Sequence, residues 1–318
     1  MIIVYMGTPE FAVPPLEALF KAGHDVRLVV TQPDRMKDRK GKLQSTPVKK
    51  RAIELGVAEA DILQPQKIRD NDEFMTRIKS IRPDAIIVAA YGRILPPELL
   101  AIPRWGCINI HASLLPKYRG PSPIQQSIIQ GDEFTGISIM YMDEGLDTGD
   151  ILAMAKIEID RKNAEQLQSE LSEIGAGLLT ETLPAIESGA VQRKKQDDSE
   201  STYTHIIKKN EGCVDFNKSP EEIERLIRGL HPWPGAYTFL KGVQIKILEA
   251  ETIDSENPVQ PGTVTSIGTE GIDVSAGGRT LRIRKLQPAG KKAMTADEYL
   301  RGNRMEPGIV LECGKDDI

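Results

Sequence analysis

A chain of 318 residues with 41 basic and 46 acidic side chains has a net charge of −5, which excludes a generally polycationic nucleic-acid binder but allows a local basic patch. Hydrophobic residues at 40% support a soluble protein with a folded core, and at roughly 100–200 residues per domain the length suggests two domains. Three cysteines without a CxxC pair, four histidines without HExxH or HxH, and no expected secretory leader argue for a reducing cytoplasm and against a disulfide framework or a zinc site, and no apolar run reaches the ~18–20 residues of a membrane helix.

In chain order, MIIVYMG (Met1–Gly7) reads as a buried strand. Pro14 and Pro15 stand in the first turn of a helix that runs to about Gly23. VRLVVTQ from Val26 is a second strand, followed by a charged loop and a helix over Pro47–Leu55. AIIVAAY from Ala85 and CINIHAS from Cys107 are further apolar strands, Pro121–Gln130 reads as a helix, TGISIMYM and ILAMAKIEI are two more strands, and a long helix spans Ala164–Glu187. Apolar strands separated by helices predict an α/β fold with a Rossmann-like, mostly parallel sheet covered on both faces. The polar stretch from Gly189 to Lys209 reads as a linker. A helix over Pro220–Leu230 and short strands with glycine turns follow, which predicts a small OB-like β-barrel. The expected division is a first domain at 1–189, a linker at 190–208 and a barrel domain at 209–318.

On the strand CINIH, Asn109 and His111 project to one face, since residues two apart share a side. Open α/β sheets bind ligands beyond the carboxyl ends of their strands, and the segment HASLLP lies at such an end. A carboxamide and an imidazole there can both donate to one developing oxyanion; a buried polar pair tying down a loop accounts equally well for the spacing. DEGLDTGD (Asp143–Asp150) adds four acids and two glycines between strands, one of which beside His111 would orient its ring. Asp147 is the best placed, though Asp143 and Asp150 stay open on the residues alone. The spacing does not fit an EF-hand. There is no GxSxG elbow to activate Ser113, and MGTPEF lacks GxGxxG, which argues against a nicotinamide dinucleotide.

The stretch INIHASLLPKYRGPSPIQQSIIQGDEFTGISIMYMDEGLDTGDIL resembles the core of the folate-dependent formyltransferases, and the likeness runs over nearly the whole chain. The resemblance implies a catalytic trio of Asn109, His111 and Asp147 and the co-substrate 10-formyltetrahydrofolate, with no metal. It places folate against the SLLP loop (Ser113, Leu114, Leu115, Pro116) and against VAAYGRILP (Val88, Tyr91, Gly92, Ile94). MGTPEFAVPPL, TQPDR, HPWPGA and LQPAGKKAM resemble the branch whose acceptor is methionyl initiator tRNA, which implies formyl transfer to the α-amine of the esterified methionine. That branch carries a basic insertion against the acceptor stem. Here DRMKDRKGKLQSTPVKKR supplies Arg35, Arg39, Lys40 and Lys42 among eight basic residues against two aspartates. In the second domain Arg282, Arg284, Lys291 and Lys292 form a second expected contact. Trp233 between its prolines reads as structural. A cytoplasmic monomer without membrane association is expected.

Overall fold

A computed structural model describes residues 1–36 and 43–313, with Arg35 and Met36 described by their backbone alone. The chain falls into two units, one comprising Met1–Pro123, Phe134–Glu158 and Gln168–Thr204, the other Ile124–Glu133, Ile159–Leu167 and His205–Ile318.

Along the chain come β1 (Ile2–Gly7), α1 (Val13–Lys21), β2 (Asp25–Val30), β3 (Arg35–Met36), β4 (Leu43–Gln44), α2 (Pro47–Glu54), β5 (Ile62–Leu63), α3 (Asp72–Ile81), β6 (Ala85–Ala89), α4 (Pro97–Leu100), β7 (Cys107–His111), α5 (Pro123–Gln130), β8 (Phe134–Tyr141), β9 (Ile151–Glu158) and α6 (Ala164–Glu187). The sheet of the first unit has the order β5-β2-β1-β6-β7-β8-β9. The first five of these strands run parallel, while β8 and β9 are antiparallel additions. The mostly parallel Rossmann-like sheet is therefore present.

The central strands explain themselves by composition. All five residues of β6 are buried, as are five of the six in β1, because helices cover both faces of a parallel sheet and leave no polar side. α2 starts where Thr46 accepts the Lys49 N–H and Pro47 fills the first turn. α3 was not anticipated. It is capped by Asn71, buries Phe74, Ile78 and Ile81 along one stripe, and stops at Arg82 in a left-handed conformation, φ 51°. The chain passes from β1 outward to β2 and β5, then returns to build β6 and β7 on the other side. That reversal opens a crevice at the carboxyl ends of β1 and β6, where α/β sheets hold ligands.

The second unit contains α7 (Pro220–Gly229), β10 (Ala236–Leu240), β11 (Val243–Glu256), β12 (Val264–Gly268), β13 (Gly271–Ala276), β14 (Arg279–Pro288), β15 (Met294–Thr295) and α8 (Ala296–Gly302). The antiparallel order is β10-β11-β14-β13-β12, with β15 on β14. β11 is 14 residues long rather than short. Three shifts of its register against β14 give it the curvature a small barrel demands.

The C-terminal segment closes this sheet. Val264 donates to the Ile309 carbonyl at 2.7 Å and Leu311 to that of Gly262 at 2.8 Å, while Phe239 and Glu312 exchange backbone bonds of 2.8 and 3.1 Å. Residues 308–312 thus satisfy the outer edges of both β10 and β12, which would otherwise present unpaired ladders. Cys213 and Cys313 are joined as a disulfide across a separation of 100 residues, with Cα atoms 5.9 Å apart. This corrects the expectation against disulfides: the pair meets only because the closing segment returns beside β10, and no short-range spacing encodes that. Cys107 is the free thiol among the described residues, its pKa pushed up to about 12 by burial.

Leu311 on the closing segment is 4% exposed and packs in the core of this unit. Leu311→Ala is expected to destabilise the protein by about 2–5 kcal/mol, measured by urea denaturation.

Candidate active site

β6 and β7 pair in parallel with Val88 opposite Asn109, and β7 meets β8 with His111 opposite Ser138. Asn109 and His111 therefore stand side by side on the same sheet face near the carboxyl end of β7. Asn109 is partly exposed, and its carboxamide makes no hydrogen bond among the described residues. His111 is buried at 6% exposure. Its Nε2 lies 2.9 Å from the Tyr118 carbonyl oxygen, an acceptor, so this nitrogen carries a hydrogen. Its Nδ1 lies 3.6 Å from Asp147 Oδ2. That is beyond a direct hydrogen bond, yet close enough for a third atom to touch both.

Of the aspartates in this loop, Asp147 is the one that the structure sets beside His111. Its Oδ2 accepts the Gly120 N–H at 2.7 Å, whereas Asp143 accepts from Gly145 and Thr148 within its own exposed loop. Asp147 adopts a left-handed backbone, φ 54°, a conformation that costs a non-glycine residue about 1–3 kcal/mol and persists only where surrounding contacts hold it. Tyr118 is also left-handed, φ 60°. The turn Tyr118–Arg119–Gly120 thus gives a carbonyl to His111 and an N–H to Asp147.

Between them, Arg119 points inward. Its side chain is 1% exposed, yet four of its five N–H groups are partnered, with Nε and Nη2 donating to Gln196 Oε1 at 3.1 and 2.9 Å, Nη2 to Asp198 at 2.7 Å and Nη1 to the Tyr203 hydroxyl at 3.0 Å. Burial works against its charge, but the bonds to Asp198 and Tyr203 outweigh it and raise the guanidinium's pKa above its ordinary value. Gln196, Thr202 and Thr204 lie in the stretch read as a linker. Here they brace the site: Tyr118 N–H donates to Thr202 Oγ1 at 2.8 Å, and the backbones of Arg119 and Thr204 are bonded. A polar composition concealed this role.

The SLLP loop is held from β8. Ser138 Oγ donates to the Ser113 carbonyl at 2.7 Å and accepts from Leu115 N–H at 3.1 Å, and Ser113 Oγ donates to the Lys117 carbonyl at 2.6 Å. Ser113 and Leu115 are buried; Leu114 and Pro116 are partly exposed.

At the β1/β6 crevice a cavity of about 310 Å³ is lined by Thr8, Pro9, Gln32, Pro33, residues 44–47, Ala90, Tyr91 and Gly92. Small-molecule pockets run from roughly 300 Å³ upward. Of the expected folate wall, Tyr91 and Gly92 border it, while Val88 does not and belongs to the apolar core. The Tyr91 ring also packs in that core, where burial raises its pKa to about 12. Its carbonyl faces the crevice and accepts from Gln32 Nε2 at 2.8 Å. Ile94 is 79% exposed. Gln32 was legible as part of TQPDR but was not singled out. Behind it, burial alone would raise the Asp34 pKa, but bonds from Gln64 and Lys49 hold it below the ordinary carboxylate range.

Arg39, Lys40 and Lys42 lie outside the described residues, and Arg35 is placed only by its backbone in β3. Arg282 and Arg284 are committed within their own unit: Arg282 forks onto Asp273 at 2.6 and 2.9 Å, and Arg284 pairs with Glu251 at 2.7 Å and Glu270 at 2.9 Å. Lys291 and Lys292 are exposed in the turn after β14. No group of three or more His, Cys, Asp or Glu able to hold a metal occurs among the described residues, nor does any helix long and apolar enough to cross a membrane.

Comparison with known proteins gives this arrangement its class. Residues 1–183 match the Formyl transferase family and residues 206–304 match its C-terminal domain. HypX from Aquifex aeolicus, solved in complex with tetrahydrofolic acid, has a similar fold with a TM-score of 0.64 at 15% identity, covering 97% of this chain and 50% of HypX, so this chain spans about half of that protein. Two closer relatives are the methionyl-tRNA formyltransferase of Lachnospira eligens, 46% identical over 98% of this chain and 99% of its own length, and that of Bacillus subtilis, 45% identical over 97% of each. The chain belongs to the methionyl-tRNA formyltransferase family.

Ser138→Ala would leave the Ser113 carbonyl and the Leu115 N–H unpaired in a buried loop. It is expected to lower stability by about 1–3 kcal/mol, read from the shift of the urea midpoint.

Proposed function

We propose that the protein transfers the formyl group of 10-formyltetrahydrofolate to the α-amine of methionine esterified to initiator tRNA. The observation that carries this reading is the placement of Asn109 and His111 on one sheet face at the carboxyl end of β7, with Asp147 Oδ2 3.6 Å from His111 Nδ1. The family relationship supports both the folate donor and the aminoacyl-tRNA acceptor.

In this reaction the amine nitrogen attacks the formyl carbon, the carbonyl oxygen takes up negative charge, and the bond to the folate nitrogen then breaks as the carbonyl reforms. Asn109, whose carboxamide makes no hydrogen bond among the described residues, donates to the oxyanion. With Nε2–H turned to the Tyr118 carbonyl, Nδ1 is the ring atom of His111 that faces the reacting groups. Asp147 Oδ2 takes the amine proton directly or through one water, and the Gly120 N–H keeps that oxygen in place. The proton returns to the departing folate nitrogen, so no net charge is left. The SLLP loop and the crevice beside Gly92 hold the folate, and the basic residues of the 35–51 stretch, Arg35, Arg39, Lys40 and Lys42 among them, meet acceptor-stem phosphates. Lys291 and Lys292 offer a second, exposed contact. The protein acts as a monomer in the cytoplasm.

Labelled 10-formyltetrahydrofolate offered with methionyl initiator tRNA and, separately, with an amino-sugar nucleotide tests the reading. Formylation of the tRNA is expected, and labelling of the sugar alone would overturn it. His111→Ala is expected to reduce kcat by about 10²–10³ while tRNA affinity, measured by filter binding, stays unchanged. Replacing Lys40 and Lys42 together with alanine is expected to weaken tRNA binding and to reduce the slope of log K against log salt by about 1–2, measured from 50 to 200 mM salt.

A further inference from the structure

We infer that the buried Arg119–Gln196 pair is the positioning device for Asp147, setting where its carboxylate stands relative to His111. The inference rests on the formyl-transfer reading and adds to it two residues that touch no substrate.

The Gln196 side chain is satisfied at both ends. Its oxygen accepts from Arg119 Nε and Nη2 at 3.1 and 2.9 Å, and its nitrogen donates to the carbonyls of Asp147 and Gly149, both at 2.8 Å. A guanidinium only donates, so the amide oxygen must face Arg119 and the NH2 must face the loop. Arg119 thereby fixes the orientation of the group that grips residues 147 and 149. Those residues need gripping, since Asp147 is left-handed with φ 54°. Gly149 packs so closely that a Cβ there would lie 2.0 Å from the Tyr141 carbonyl oxygen.

The same arginine lies between Tyr118, whose carbonyl meets His111, and Gly120, whose N–H meets Asp147. Movement of the pair would therefore alter the carboxylate's position from two directions, through its backbone and through its acceptor bond. The pair is buried, at 1% for Arg119 and 6% for Gln196, so solvent does not compete for these bonds.

A double-mutant cycle on the full chain tests this, with formyl transfer to methionyl initiator tRNA as the assay. Gln196→Glu keeps the volume and the acceptor for Arg119 but removes both N–H donors to the loop. Its kcat is expected to fall about tenfold or more with KM for both substrates within about twofold. In an Asp147→Asn background the same change is expected to alter the residual turnover by less than about twofold, because its effect runs through Asp147. Arg119→Lys, which keeps charge but loses the fork, is carried through the same cycle, so misfolding of one variant leaves the other to decide. Wild-type-like kcat in a folded variant, a change confined to KM, or an equal loss in both backgrounds would overturn the inference alone. Absence of formyl transfer by the wild-type protein would overturn the underlying function as well.

Discussion

The site depends on one hydrogen bond, from the Gly120 N–H to Asp147 Oδ2 at 2.7 Å. A carboxylate beside an imidazole needs an anchor that does not neutralise it, since a lysine or arginine in direct contact would hold the negative charge for itself. A backbone amide supplies position with only a partial charge. The charged residue nearby, Arg119, is instead turned away, spending its donors on Gln196, Asp198 and Tyr203. The site thus gains the rigidity of a buried guanidinium while Asp147 remains available to His111.

The sheet makes this bond possible. β7 is the last parallel strand and β8 the first antiparallel one. On leaving β7 the chain folds residues 118–120 back against the strand end they came from, where the Tyr118 carbonyl meets His111. The β8–β9 connection contributes Asp147 at the same end of the sheet. Ser138 on β8 fastens the intervening loop at both Ser113 and Leu115. Two chemistry-bearing side chains from β7 and one from the β8–β9 connection thus stand at the same end of the sheet.

Much of this was legible. α6 was read at its observed limits because a long amphipathic run ends before a glycine, and Asn109 and His111 were paired by the two-residue period of a strand. The residues alone left Asp143 and Asp150 open beside Asp147, because the backbone N–H that holds Asp147 near His111 comes from 27 positions away. Val88 lies in the apolar core, since a central parallel strand buries both of its faces, whereas Tyr91, beyond the end of that strand, packs its ring in the same core and also borders the crevice. α3 was overlooked although Asn71, Phe74, Ile78 and Ile81 carry cap and stripe. Gln196 could not be found by composition: a single amide in a charged stretch has no periodicity, and its importance comes from the two ends it joins. Closure of the second unit by residues 308–312, and with it the Cys213–Cys313 link, arises from chain return over about a hundred residues and leaves no local trace.

Charge distribution bears on how a polyanionic acceptor would be held. Arginines on a strand look equivalent in sequence, but Arg282 and Arg284 each face carboxylates of their own unit, and phosphate could engage them only by displacing Asp273, Glu251 or Glu270. Such an exchange trades one ion pair for another and contributes little to the salt-dependent release of counterions. The stretch from Asp34 to Arg51 has eight basic residues and two acids. Lys49 is taken by Asp34, and Arg51 by Glu17 and Glu54. The other basic residues of the stretch, Arg35, Lys37, Arg39, Lys40, Lys42 and Lys50, follow β2 in the sequence. In sequence the stretch carries a local excess of six positive charges within an overall negative chain, the kind of uneven distribution that lets a net-acidic protein present a positive field to a polyanion.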